Sequence, residues 1–150
     1  IRTEEGPDGP RTVLTFRLRD GVVWHDGKPL TSRDAAFTYE ILKKNAVPRY
    51  FDSVDNIESI ETPDDSTLVV KMKNVSFWHL HRVGGLSIFP RHILENVKDW
   101  RSWLPASERH PGDPDLTLLV GSGPFVFREY RPGEYVRMTG SETFWLGKKR

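Results

Sequence analysis

A chain of 150 residues with 22 Lys and Arg against 21 Asp and Glu carries a formal charge of +1. It is long enough to bury one sizeable core and holds no cationic excess of the kind nucleic acid selects. The absence of cysteine excludes a disulfide framework, a zinc ribbon and a cysteine nucleophile, while five Trp, eight Phe and four Tyr supply buriable area in a chain that is 29% charged. No apolar run approaches the roughly 20 residues of a membrane helix, and the N-terminus has no basic-then-apolar export signal. The opening at Ile1 and the close on Gly147-Lys148-Lys149-Arg150 lead us to expect a piece of a longer polypeptide.

Residues 1–11, with Gly6, Pro7, Gly9 and Pro10 among charges, read as a turn. From Val13 the chain alternates: Leu14, Phe16 and Leu18 share one face while Thr15, Arg17 and Arg19 share the other, the period of a strand with one wet side. Asp20-Gly21 is a two-residue hairpin signal, which predicts that Val22, Val23 and Trp24 return as a partner strand. Asp26-Gly27 marks a second turn. Thr31 and Asp34 then form a capping-box pattern ahead of a helix predicted over 32–44, with Lys43 and Lys44 in its last turn and Asn45 and Pro48 ending it.

A second hairpin is predicted from the alternation of 57–61 and 67–73 around Thr62-Pro63-Asp64-Asp65-Ser66, with Leu68, Val70 and Met72 on one face. Residues 76–83 read as a short helix with Phe77, Leu80 and Trp78 inward, stopped by Gly84-Gly85; Pro90 opens another through Val97. Residues 104–116, rich in Pro and charge, read as a long loop. Phe125–Phe127 and Tyr135–Met138 flank Arg131-Pro132-Gly133-Glu134 as a third hairpin. The fold class expected is α+β, with antiparallel β-hairpins forming a mixed sheet packed with a few short helices.

Candidate chemistry is sparse. His25-Asp26 resembles a base and its orienting carboxylate, yet neighbours along a strand point to opposite faces. His79-x-His81 suggests a metal pair, with His92 or His110 as a remote third ligand, yet on a helix two residues apart lie on different faces. Gly121-Ser122-Gly123 precedes Pro124 and a strand, the reverse of a phosphate-binding order, and Ser122 lacks a nucleophile-elbow context. A chain crossing where a Cβ would collide is the better account of those glycines. No catalytic set and no metal site emerge. Tyr50-Phe51, Phe77-Trp78, Trp100, Trp103 and Phe144-Trp145, with Arg49, Arg82 or Arg101 nearby, have the composition to line a small-ligand pocket.

The run "FRLRDGVVWHDGKPLTSRDAAFTYEIL", followed in order by "PDDSTLVVKMK", "IFPRHIL" and "GSGPFVFREYRPGEYVRM" ending at "FW", resembles the family 5 extracellular solute-binding proteins. These are the oligopeptide-, dipeptide- and nickel-binding components of ABC importers, and the resemblance spans nearly the whole chain. It implies a periplasmic binding protein type II-like architecture, with residues 1–122 as the small structural domain and 123–150 as a hairpin re-entering the first ligand-binding lobe. It also implies a non-enzymatic protein without cofactor, periplasmic or extracellular, monomeric, that captures peptides and delivers them to an ABC permease in the membrane, with no nucleic-acid partner. A ligand-sensing domain of a regulator with the same fold, or a binding protein for nickel or another small solute, is the alternative. The resemblance also implies a cleft contact: in some relatives an aromatic after the first helix reaches the binding cleft, the best match here is Tyr50 or its neighbour Phe51, and Arg49 is added on physical grounds as an anion partner.

Overall fold

The computed structural model describes residues 1–97, 119–131 and 133–147. The 104–116 loop, Trp100, Trp103, Arg101 and His110 lie outside the described residues. The chain divides into two compact units: residues 1–20 with 31–89, and residues 21–30 with 90–150.

The first unit is built on a four-stranded sheet of order β1-β2-β4-β3, antiparallel throughout, from β1 (Arg2–Gly6), β2 (Gly9–Arg17), β3 (Ile57–Asp64) and β4 (Thr67–Met72). Residues 1–11, expected as a turn, instead form β1, a tight turn at Pro7-Asp8 and the start of β2, with Gly9 accepting φ +116 where a side chain would be strained. The strand expected at Val22–Trp24 does not pair with β2. Residues 22–24 pair instead with the residues just past the next turn, the Leu30 N–H donating to the Val22 carbonyl at 3.0 Å and Val23 bridging Pro29.

Helix α1 (Ser32–Lys44) covers the sheet and packs on β3 and β4. Its start follows the capping pattern: the Asp34 carboxylate accepts the Thr31 backbone N–H at 2.8 Å and the Thr31 hydroxyl at 3.2 Å. Ser32 ties that end to the β3–β4 turn, its hydroxyl donating to the Asp64 carbonyl at 2.6 Å and its N–H to Asp65 at 2.8 Å. The core gathers Leu14, Leu68, Val70 and Met72 from the sheet with Ala35, Tyr39 and Leu42 from α1. Thr38, fully buried on α1, accepts the Phe89 N–H at 2.8 Å, and the Tyr39 hydroxyl donates to the Val83 carbonyl at 3.1 Å, so polar groups inside the core hold the 83–89 segment.

Two short helices complete the unit, α2 (Pro48–Val54) and α3 (His79–Gly84), packed on each other. Helix α3 begins three residues later than the predicted span, which changes the inward set. His79 and Val83 are buried, whereas Phe77 and Trp78 precede the helix and are 80% and 61% exposed, and Leu80 is also exposed.

In the second unit, residues 22–30 fold on themselves around Asp26-Gly27: Val23 bridges Pro29, Trp24 N–H donates to Lys28 at 2.8 Å, and Gly27 takes φ +84. Trp24 is buried. Helix α4 (Arg91–Leu94) follows Pro90, shorter than the predicted run to Val97. The predicted third hairpin is β5 (Phe125–Arg131) with β6 (Tyr135–Gly140), a separate two-stranded antiparallel sheet.

Candidate functional site

Arg49, Tyr50 and Phe51 share α2, and the sequence before them sets that helix. Asn45 ends α1, its side-chain amide donating to the Ile41 carbonyl at 2.9 Å; Ala46 then takes φ +46, and Pro48 opens α2 where a missing N–H costs nothing. The N–H groups of Tyr50 and Phe51 both return to the Val47 carbonyl, at 2.9 and 2.8 Å. Tyr50 is half-buried with its ring against the core, which anchors the helix. Phe51 is half-buried too. Arg49 is exposed, its guanidinium carbon 5.6 Å from the centre of the Tyr50 ring, and it makes no ion pair among the described residues. An exposed cation over an aromatic ring suits a ligand that combines apolar surface with negative charge.

The histidines do not converge. His79 is buried and its Nε2 lies 2.9 Å from the Asn74 side-chain oxygen; burial pushes its imidazole below the ordinary value. His81, two residues on, is exposed among the rings of Phe77 and Trp78. His92 lies 2.7 Å from the Asp26 carboxylate. Burial alone would raise that carboxyl, but the hydrogen bonds from His92 and from the Lys28 backbone N–H hold it below the usual range. Among the described residues no group of three His, Asp or Glu side chains is arranged to hold a metal.

His25 and Asp26 are likewise no acid–base pair. The His25 ring binds the backbone at Gly121 and Gly123, while Asp26 turns to His92. A Cβ on Gly121 would stand 3.3 Å from the His25 ring, so the crossing inferred from Gly121-Ser122-Gly123 is a close approach at Gly121, whereas a Cβ on Gly123 would meet nothing.

The structure also shows a feature that sequence patterning missed. A cavity of about 300 Å³ in the first unit is lined by Ile1, Thr12, Leu14, Val75, Phe77 and His81, among others. Its walls come from both ends of the unit's sequence, and no local pattern marks such a meeting. Phe144 and Trp145 stack near each other, ring centres 5.5 Å apart, with Trp145 43% exposed.

Comparison with known proteins places these features in a family. The model of bacterial extracellular solute-binding proteins, family 5 Middle, matches residues 4–150. A Brucella ovis protein named as an ABC transporter peptide-binding protein is 30% identical over 146 residues, covering 97% of this chain and 26% of its own length. The crystal structure of the ABC transporter substrate-binding protein CtaP from Listeria monocytogenes superposes with a TM-score of 0.75 at 27% identity, covering 98% of this chain and 28% of that one. That of NikZ from Campylobacter jejuni, in complex with Ni(L-His), gives 0.72 at 26% identity, with 98% and 27% covered. The chain thus spans about a quarter of the length of the relatives it matches. It belongs to the bacterial extracellular solute-binding proteins of family 5.

Proposed function

We propose that this chain is part of the substrate-binding subunit of an ABC importer that captures peptides outside the cytoplasmic membrane and presents them to a membrane permease. The observation that carries the reading is the match along residues 4–150 to the family model, joined by 30% identity to a protein named for peptide binding in an ABC transporter. The protein works as a monomer, without cofactor or catalysis, in the periplasm or at the cell exterior. No described helix is long and apolar enough to cross a membrane. The named relatives are transport components, which favours an importer over a regulator. The NikZ complex keeps a nickel chelate as the second candidate cargo.

Residues 1–122 act as the small structural domain and 123–150 as the hairpin that re-enters the first lobe; the separate β5–β6 sheet supports that division. On this reading Tyr50 and Phe51 offer ring surface to the ligand and Arg49 pairs with its negative charge. Calorimetry on the whole protein with a mixed set of short peptides tests it. Binding is expected, weakened about tenfold in Phe51→Ala, the loss of roughly 1.4 kcal/mol of contact, while residues 1–150 alone give no heat. Heat from no peptide, with heat from nickel chelates, would overturn the peptide cargo. An unchanged affinity in Phe51→Ala and Arg49→Ala would remove α2 from the site.

A further inference from the structure

We propose that His25 is a pH-sensitive latch, holding the 119–123 crossing against the 21–30 loop in full only while its imidazole carries a single ring proton. Three hydrogen bonds make the joint. The His25 backbone N–H donates to the Gly121 carbonyl at 2.8 Å, the Gly121 N–H donates to the ring Nδ1 at 3.2 Å, and the ring Nε2 lies 2.9 Å from the Gly123 carbonyl. A neutral imidazole has one donor and one acceptor. This set uses both and selects the tautomer, because Nδ1 must accept from an amide and Nε2 must donate to a carbonyl.

A second ring proton lands on Nδ1 and turns the Gly121 contact into two donors facing each other, leaving that backbone N–H without its acceptor. The Gly123 contact keeps its donor and gains charge. Of the three bonds only the one from the Gly121 N–H is lost, while the His25 backbone N–H still donates to the Gly121 carbonyl; glycine permits the close approach there, since a Cβ on Gly121 would stand 3.3 Å from the ring.

Among the described residues, the charged groups on the ring's own loop, on the crossing it binds and on α4, which meets the loop at Asp26, are these. On its own turn are Asp26 and Lys28; on α4 are Arg91, His92 and, just after it, Glu95, with Arg91 donating to Glu95 at 3.0 Å; residues 119–124 carry no charge. Asp26 and His92, 2.7 Å apart, also join this loop to the 90–150 segment, and that contact does not involve the His25 ring. What a second proton on His25 removes is the one bond from the Gly121 N–H. The consequence is a change of restraint on the segment leading into β5, four residues further along. The inference is independent of the importer reading.

NMR on the 150-residue chain tests it. Imidazole nitrogen shifts at pH 8 are expected to show Nε2 protonated and Nδ1 bare. Protection of the Gly121 amide against exchange, corrected for the intrinsic rate, is expected to fall about fivefold to tenfold from pH 8 to pH 5, the loss of one ordinary hydrogen bond. His25→Asn keeps an acceptor near the Nδ1 position and does not titrate, so its Gly121 protection should hold across that range. The opposite tautomer at pH 8, pH-indifferent protection in the wild type, or an equal fall in His25→Asn overturns the latch. Should that variant not fold, the wild type decides: the Gly121 amide shift must titrate together with the His25 ring nitrogens, and separate midpoints would refute the proposal.

Discussion

Strands β4 and β6 have the same alternating apolar pattern and opposite fates. In β4, Leu68, Val70 and Met72 are at most 1% exposed, whereas in β6 Val136 and Met138 are 56% and 53% exposed. The difference is the cover. Strand β4 is interior to a four-stranded sheet with α1 laid across it, while β6 belongs to a two-stranded sheet with β5 as its partner. Alternation reports that a segment is extended with two unlike faces; what seals the apolar face is a property of other parts of the chain. A two-stranded hairpin with little cover is marginal on its own, so core truncations are expected to cost more in β4 than in β6.

The largest expected effect comes from breaking the sealed side. Leu68→Ala should cost about 2 to 5 kcal/mol in chemical denaturation, the transfer of the lost carbons plus the cavity they leave. A loss under about 1 kcal/mol would mean that the face under α1 is not packed. Next comes alkaline pH. Burial pushes the Tyr39 phenol from 10.0 up to about 12, and its hydroxyl must stay protonated to donate to Val83. A folded-state value raised above the unfolded one contributes stability that is whole below pH 10 and drains away as pH climbs toward 12. Tyr39→Phe should lose about 1 kcal/mol at neutral pH with the hydrogen bond and erase this phenol's share of the alkaline decline, read from denaturation midpoints between pH 9 and 12. The smallest effect is expected on the open hairpin, where Met138→Thr should change stability by less than about 0.5 kcal/mol. A cost comparable to Leu68→Ala would show β6 to be covered in solution.

The same contrast separates what was readable in advance. Helix α1 was predicted over 32–44 and runs Ser32–Lys44, because both of its end signals are local: the Thr31–Asp34 box at one end, and Lys43, Lys44 and Asn45 at the other. The β3–β4 and β5–β6 hairpins were equally legible from alternation around turn residues. The 22–24 strand took a different partner from the one expected. Gly21 sits at φ +72 as the turn signal implied, but the Asp26-Gly27 turn folds residues 28–30 back onto 22–24, and that nearer pairing replaces the one with β2. The inward set of α3 failed because a three-residue shift of a helix start rotates which side chains face the core. For the candidate site, Pro48 reads in the sequence only as ending α1, whereas it opens α2, the helix that carries Arg49, Tyr50 and Phe51; neither that helix nor the placement of Arg49 over Tyr50 was legible in advance.

Family membership, the antiparallel α+β class and the capped helix were determined by residue order alone, because caps, turns and alternation act within a few residues and survive in any compact arrangement. Which strand edges stay free, which rings face water, and that His25 closes on a glycine 96 residues away were decided by tertiary structure. Those outcomes depend on competition among distant segments for the same hydrogen bonds and the same apolar cover, and no short stretch of sequence contains its competitors.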